Sequence, residues 1–152
     1  MTHNPEIRTR PKPIRDGFYT ITPYLIGRNT PGLIEFLAAA FDGKLISRKG
    51  RPDGSVMHAE MRIGDSILMM GDSTGDFAPM PAAIYLYVPD CDAVYRQALA
   101  AGGSSVSDVR TMPSGERYGG LKDPCGNIWW VATHVEDVSP EEENRRWSAL
   151  KR

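Results

Sequence analysis

The sequence predicts an α+β protein in which one β-α-β-β-β unit is written twice. Three observations carry this. Two stretches run through a Gly-centred turn into an apolar strand: Arg62-Ile63-Gly64-Asp65-Ser66-Ile67-Leu68-Met69-Met70 and Asp123-Pro124-Cys125-Gly126-Asn127-Ile128-Trp129-Trp130. Aligning Ile67 with Ile128 gives an offset of 61 residues. Each stretch follows a helical pattern that closes on glycine, at Gly43 and Gly103, an offset of 60 residues. Each helical pattern in turn follows a short strand, over residues 20–26 and 83–88. Repetition at a fixed period organises an architecture before any single residue does.

Along the first unit, residues 20–26 alternate, with Ile21, Pro23 and Leu25 on one face and Thr22, Tyr24 and Ile26 on the other. Pro23 lacks a donor, so this strand belongs at an edge or in an irregular pairing. Asn29-Thr30-Pro31 starts a helix with a capping side chain ahead of proline. Leu33, Ile34, Leu37 and Phe41 follow at helical spacing until Gly43. Residues 44–49 read as a strand and Arg51-Pro52-Asp53-Gly54 as a turn. Residues 56–63 alternate clearly. Met57, Ala59, Met61 and Ile63 are expected under a helix, and Val56, His58, Glu60 and Arg62 on a polar face.

Residues 72–81, rich in Gly, Ser and Pro, link the halves. In the second unit Ile84, Leu86 and Val88 form the apolar parity, leaving Ala83, Tyr85 and Tyr87 opposite. Asp90 caps a helix with the stripe Val94, Tyr95, Ala98 and Leu99, closed by Gly102-Gly103. Residues 105–110 are a weaker strand, and 111–120 a loop or bent strand. Residues 128–134 are aromatic and β-branched, which suits a strand. Ser139-Pro140-Glu141-Glu142 opens a final helix, with an N-cap, proline at the first position and early acids. Its Trp147 and Leu150 share one flank. The expected organisation is a solvated basic arm over residues 1–17, containing His3, then a domain over 18–138. That domain comprises a first module over 18–75 and a second over 82–138. The terminal helix occupies 139–152.

Composition bounds the function classes. With 41% hydrophobic and 24% charged residues, the chain falls among ordinary soluble domains. A net charge of −1 gives no general pull toward nucleic acid or anionic membranes. No run reaches the roughly 20 apolar residues of a membrane span. The arm lacks the apolar segment of a signal peptide. Cys91 and Cys125 are the only cysteines, and a reducing cytoplasm accounts for them better than a disulfide framework. No dinucleotide fingerprint, P-loop or nucleophile elbow appears, which argues against nucleotide cofactors and serine hydrolysis.

The doubled unit, "TPYL" at 22–25, "MHAEMRIGDSILMM" at 57–70 and "GERYGGLKDPCGNIWWVATHVEDVSPEE" at 115–142 resemble the glyoxalase/bleomycin-resistance/dioxygenase (vicinal oxygen chelate) superfamily. The similarity is greatest to its PhnB-like branch and spans roughly residues 18–142. Cys125 departs from the aromatic residue common in that branch's turn. The resemblance implies two paired modules whose eight strands form an incompletely closed, barrel-like sheet around a cleft. It also implies a homodimer. In metal-dependent relatives four strands each offer one ligand. Carried onto this chain, those points fall near Thr22, Met69, Ala83 and Trp130, none a good ligand for a divalent ion.

His58 and Glu60, two apart on a strand, share a face about 6–7 Å apart. They fit a displaced metal site, a general base with its orienting acid, or a polar strand face meeting water. The PhnB-like branch often carries His and Glu here. Tyr24, Tyr85, Tyr87 and Trp130 fit either sheet packing or the wall of a cleft for a flat ligand, with Arg62 among the polar contacts. His134 reads as a strand cap, and Glu116-Arg117 as a surface ion pair or, because the resemblance puts this loop at the border of the cleft, a ligand contact. Two functions stay open. One is a metal-free binding protein that sequesters or senses a small planar or aromatic molecule. The other is a lyase, isomerase or dioxygenase-type enzyme using His58 and Glu60, with a divalent metal as its cofactor or with none.

Overall fold

The computed structural model describes residues 10–151. Most of the basic arm, including His3, lies outside the described residues. The order is β1 (Tyr24–Gly27), α1 (Thr30–Phe41), β2 (Lys44–Gly50), β3 (Val56–Ile63), β4 (Ser66–Asp72), β5 (Ala83–Tyr87), α2 (Cys91–Ala100), β6 (Ser104–Thr111), β7 (Glu116–Lys122), β8 (Ile128–His134) and α3 (Pro140–Leu150). The α+β class and the doubled β-α-β-β-β unit are both present. The eight strands divide into two four-stranded sheets, β1-β4-β3-β2 and β5-β8-β7-β6, that are not closed into a barrel. In each sheet the first strand runs parallel to the last, and the others pair antiparallel. No described helix is long and apolar enough to cross a membrane.

The repeat extends to the irregularities. In β2 the register steps from Leu45↔Met61 to Ser47↔Glu60, leaving Ile46 as a bulge. In β6 it steps from Ser105↔Leu121 to Ser107↔Gly120, leaving Val106. These two residues are 60 apart, the same offset as the helix-closing glycines. A bulge adds twist and bends a strand, so both modules curl alike around their helices.

Both helices begin as predicted. Asn29 Oδ1 accepts from the Gly32 N–H, Asp90 Oδ1 from the Ala93 N–H, and each helix is thereby capped. At the end of α1 the left-handed residue is Asp42, with φ of 54°, rather than Gly43. The chain reverses one residue early, and the Gly43 N–H closes on the Leu37 carbonyl. β1 starts at Tyr24, later than the alternation over 20–26 suggested. Pro23 offers no N–H, although its carbonyl still accepts from Met69.

One core joins the modules. Leu33, Leu37 and Ala40 of α1, Met61 and Met70 of sheet one, and Tyr95, Leu121 and Trp129 of the second module are all buried in one cluster. Phe41 of α1 packs on Trp129 of β8 with ring centroids 4.9 Å apart. Phe36, absent from the predicted stripe, is also buried and meets Phe41 edge-on.

The Asp-Pro-Cys-Gly-Asn turn is the anchor of β8. Asp123 Oδ1 accepts from the backbone N–H groups of Cys125 and Asn127. Its Oδ2 accepts from Asn127 Nδ2 and from Trp129 Nε1, each at 2.8 Å. Asn127 Oδ1 then accepts from the Ala82 N–H, tying the turn to the start of β5. Asp123 and Asn127 are buried, and Trp129 is 1% exposed. Four donors around one sealed carboxylate fix the register in which Trp129 faces the core. Trp129→Ala should therefore cost about 3–5 kcal/mol. Asp123→Ala, which strands several buried donors, should also cost more than 1 kcal/mol. Urea unfolding checks both, and a loss below 1 kcal/mol for either would contradict this account.

Candidate functional site

Sheet one carries the first group of predicted residues on its outer face. In β3 the register moves from Lys49↔His58 to Gly50↔Val56, so Met57 is an unpaired bulge. This corrects the simple alternation read from the sequence. Val56 turns into the core and Met57 turns outward, about half exposed. Beyond the bulge, Ala59, Met61 and Ile63 are buried as expected, and His58, Glu60 and Arg62 take the other face.

Those polar residues are already engaged. The Tyr24 hydroxyl lies 3.2 Å from His58 Nδ1, and His58 Nε2 lies 3.2 Å from Glu60 Oε1. With a proton on Nε2 the ring donates to Glu60, and Nδ1 faces the Tyr24 hydroxyl. Arg15 then donates from Nη1 and Nη2 to the two oxygens of Glu60, at 2.8 and 3.2 Å. The guanidinium also sits 4.4 Å above the Phe18 ring. Glu60 is only 3% exposed. Its carboxyl is held below the usual carboxylate range, chiefly by Arg15 and less by His58, against the opposing effect of burial. Residues 15–18 thus lie across the sheet, although the sequence assigned residues through 17 to a solvated arm. Gly17, at φ of 85°, sits against Arg62 and Ile67.

Further along this face lies an apolar cavity of about 340 Å³, walled by Tyr24, Ile26, Met57, Gly71 and Phe77, with Arg51 and Asp72 at its polar side. Gly71 makes it possible: a Cβ there would stand 2.8 Å from the Met57 carbonyl and 3.2 Å from the Tyr24 hydroxyl. Sequence reasoning missed Met57, because bulges are invisible to parity counting. It missed Phe77 because that residue sits in the linker.

Sheet two carries the second group. Tyr85 is opposite Trp130, Tyr87 and Tyr118 are opposite Ala132, and Glu116 is opposite His134. These residues share one face. Trp130 lies flat over Gly120, where a Cβ would come within 2.5 Å of its ring. Edge-to-face contacts run from Trp130 to Tyr118 (5.6 Å), Tyr118 to Tyr85 (6.0 Å) and Tyr85 to Tyr87 (5.1 Å), a preferred aromatic geometry. Burial, followed by the charge of Glu116, pushes the Tyr85 phenol up to about 12.

One sequence expectation changes here. Glu116 does not pair with Arg117. Its Oε1 meets His134 Nδ1 at 3.0 Å and accepts from the Tyr87 hydroxyl at 3.2 Å. Arg117 points to the other face and grips Asp92 of α2 through Nε and Nη2. The reason is that β7 begins at Glu116, so neighbours alternate faces. His134 also meets Asp137 through Nε2 at 2.7 Å, and the two carboxylates, Asp137 foremost, raise its pKa.

The structure therefore groups Tyr24, His58, Glu60 and Arg62 on one sheet, and Tyr85, Tyr87 and Trp130 on the other. Among the described residues no hydrogen bond or ring contact joins the two groups. The four family coordination points do not fit a divalent ion. Thr22 precedes β1 and leans on the Tyr19 carbonyl. Met69 offers a thioether, Ala83 a methyl and Trp130 an indole, none of them a donor for hard or borderline ions. Both Glu60 oxygens accept from Arg15, and His58 and Glu60 are only two donors.

The Arg15–Glu60 pair has a pH signature. A carboxylate with a lowered folded pKa contributes stability above its unfolded value, about 4.3, which is lost as pH falls through the folded value. Wild-type protein should lose stability over that acid range more steeply than Arg15→Ala, as measured by urea midpoints between pH 6 and pH 3. Superimposable profiles would mean that Arg15 does not hold Glu60 in solution.

Comparison with known proteins follows the same lines. The chain is 30% identical over 133 residues to an uncharacterized protein of Mycobacterium tuberculosis strain H37Rv, covering 80% of this chain and 78% of that one. Among solved structures it is similar to TioX from Micromonospora sp. ML1, with a TM-score of 0.65, 21% identity, and coverage of 76% of this chain and 98% of that one. It is also similar to a Bacillus cereus PhnB protein described as a putative 3-demethylubiquinone-9 3-methyltransferase (TM-score 0.62, 22% identity, 76% and 99% covered). A glyoxalase/bleomycin resistance protein/dioxygenase from Nocardioides superposes with a TM-score of 0.60 at 20% identity, covering 88% and 91%. The family profile matches residues 21–131, and the chain belongs to the Glyoxalase/Bleomycin resistance protein/Dioxygenase superfamily.

Proposed function

We propose that this protein, in the PhnB-like branch of its superfamily, binds a small planar or aromatic molecule without a bound metal. The observation that carries this reading is the exchange at the coordination points. Where the resemblance implies metal ligands in the family's metal-dependent members, this chain presents Thr22, Met69, Ala83 and Trp130, with Met69 paired to Tyr24 and Trp130 to Tyr85. Tyr24 and Trp130 supply flat faces, and Tyr85 and Tyr87 extend the aromatic wall. Arg62 provides a polar contact that fixes orientation, and His58 and Glu60 join it where a ligand displaces Tyr24 or Arg15 from them.

The working form is a homodimer. One chain leaves Tyr24, Met57, Tyr85 and Tyr87 between about two-fifths and two-thirds exposed on two sheet faces. A second copy would cover those faces and set sheet one of one chain against sheet two of the other, making the two residue groups one site. A cytoplasmic location agrees with Cys91 and Cys125 both being free thiols.

An acid–base enzyme is the second reading. The Tyr24–His58–Glu60 chain favours it, because it places an imidazole between a phenol and a carboxylate. Recovering a compound unchanged after prolonged incubation with the protein supports binding. Its conversion, lost in His58→Ala, supports the enzyme.

Light scattering at micromolar concentration should give about twice 16.8 kDa; a monomer mass would sink the dimer. A planar ligand should quench tryptophan fluorescence saturably. Trp130→Ala should weaken its binding about tenfold, the equivalent of ~1.4 kcal/mol. Gly120→Ala, by displacing the same ring, should act in the same direction. Unchanged affinity in both variants would remove Trp130 from the site.

A further inference from the structure

We infer that the apolar cavity beside Tyr24 and a second cavity beside Arg28 form one amphipathic site for a small carboxylate with a flat apolar body. This rests on the binding reading above and adds the chemistry of the ligand's head.

The two cavities share walls. Arg51, Asp72 and Thr74 line both the apolar one, of about 340 Å³, and its neighbour, of about 650 Å³. Their other walls differ in kind. Ile26, Met57 and Phe77 make the first greasy; Arg28, Asn29, Ser55 and Ser73 make the second polar. A ligand spanning them needs an apolar body of modest size and a polar end, and the volumes suit small molecules. Met57, thrust outward by the β3 bulge, is a flexible side chain able to mould to such a body.

The polar end carries two arginines and two aspartates, and their hydrogen bonding separates them. Both oxygens of Asp72 accept from backbone, the Thr30 N–H at 2.7 Å and the Val56 N–H at 2.6 Å. Asp53 Oδ1 accepts from the N–H and hydroxyl of Ser55. The acids are thus committed to holding the loop. Arg51 spends only Nη1 on protein, toward Ser55 Oγ and the Val56 carbonyl, leaving Nε and Nη2 as donors among the described residues. Arg28 makes no side-chain hydrogen bond among the described residues and lines the same cavity. With both Asp72 oxygens and Asp53 Oδ1 engaged by the loop, the unspent guanidinium donors favour an anionic head, and the planar guanidinium fork matches a carboxylate. The nearby aspartate charges favour a singly charged head over a phosphate dianion.

Calorimetric titration of the full chain with 1-naphthaleneacetate, its neutral isostere 1-naphthaleneacetamide and 1-naphthylmethylamine tests this. The acid should bind at least tenfold more tightly than the amide, and the amine weakest. Arg28→Gln should erase most of that preference, lowering acid affinity by far more than amide affinity. Arg28 carries the test, because Arg51 also braces the β2–β3 turn and Arg51→Gln can perturb folding. Phe77→Ala, at a side chain 65% exposed, should weaken acid and amide alike by severalfold. Equal affinity for acid and amide, unaffected by Arg28→Gln, overturns the carboxylate site while the planar-ligand reading stands. Binding that Trp130→Ala abolishes and Phe77→Ala leaves intact moves the site to the other sheet, and this inference fails. No binding of any probe at millimolar concentration removes both.

Discussion

A single buried carboxylate sets the geometry of the second module. Asp123 accepts from four N–H groups, and one of them is the indole of Trp129. Sealing a charge inside protein is tolerable only when its lone pairs are met this fully. Holding the indole at that point orients β8, the strand that pairs with both β5 and β7. Side-chain parity has a period of two, so fixing Trp129 inward sends Trp130 outward. The same residue packs on Phe41 of α1, so the turn also binds one module to the other. A slip of one residue would bury Trp130, expose Trp129 and dismantle the aromatic face.

The outer face of sheet one follows a different logic. Glu60 is at least as buried as Asp123, yet its two oxygens are met chiefly by Arg15, from the segment ahead of the first strand, with His58 of its own strand beside it. A bidentate guanidinium pair of this kind is stronger than a surface ion pair because one partner is sealed from solvent. It leaves His58 bridged between a phenol and a neutralised carboxylate. The segment ahead of the first strand is therefore part of the candidate site, since Arg15 closes over the carboxylate that His58 meets.

Duplication explains why the two faces differ while their scaffolds match. Both modules have the same strand order, capped helices and an equivalent bulge, at Ile46 and Val106. Those features depend on backbone hydrogen bonding and tolerate many side chains. The outward residues carry no such burden. One face has become polar, with His58, Glu60 and Arg62, and the other aromatic, with Tyr85, Tyr118 and Trp130.

The sequence by itself determined the class, the repeat, the caps at Asn29, Asp90 and Ser139, and the parity that separates Trp129 from Trp130. These are local properties, written in turn residues and in periods of two and 3.6. It also placed Thr22, Met69, Ala83 and Trp130 at the points where the resemblance implies metal ligands, none of them a good donor for a hard or borderline divalent ion. Tertiary structure decided the rest. The β3 bulge that turns Met57 outward depends on pairing with β2. The partners of Arg15, Glu116, Arg117 and His134 lie between 3 and 45 residues away in sequence, and most are set by which strands become neighbours. Whether the predicted residues meet was likewise beyond periodicity: parity assigns each to a face, and only packing puts Tyr24 and His58 on one sheet and Trp130 on the other.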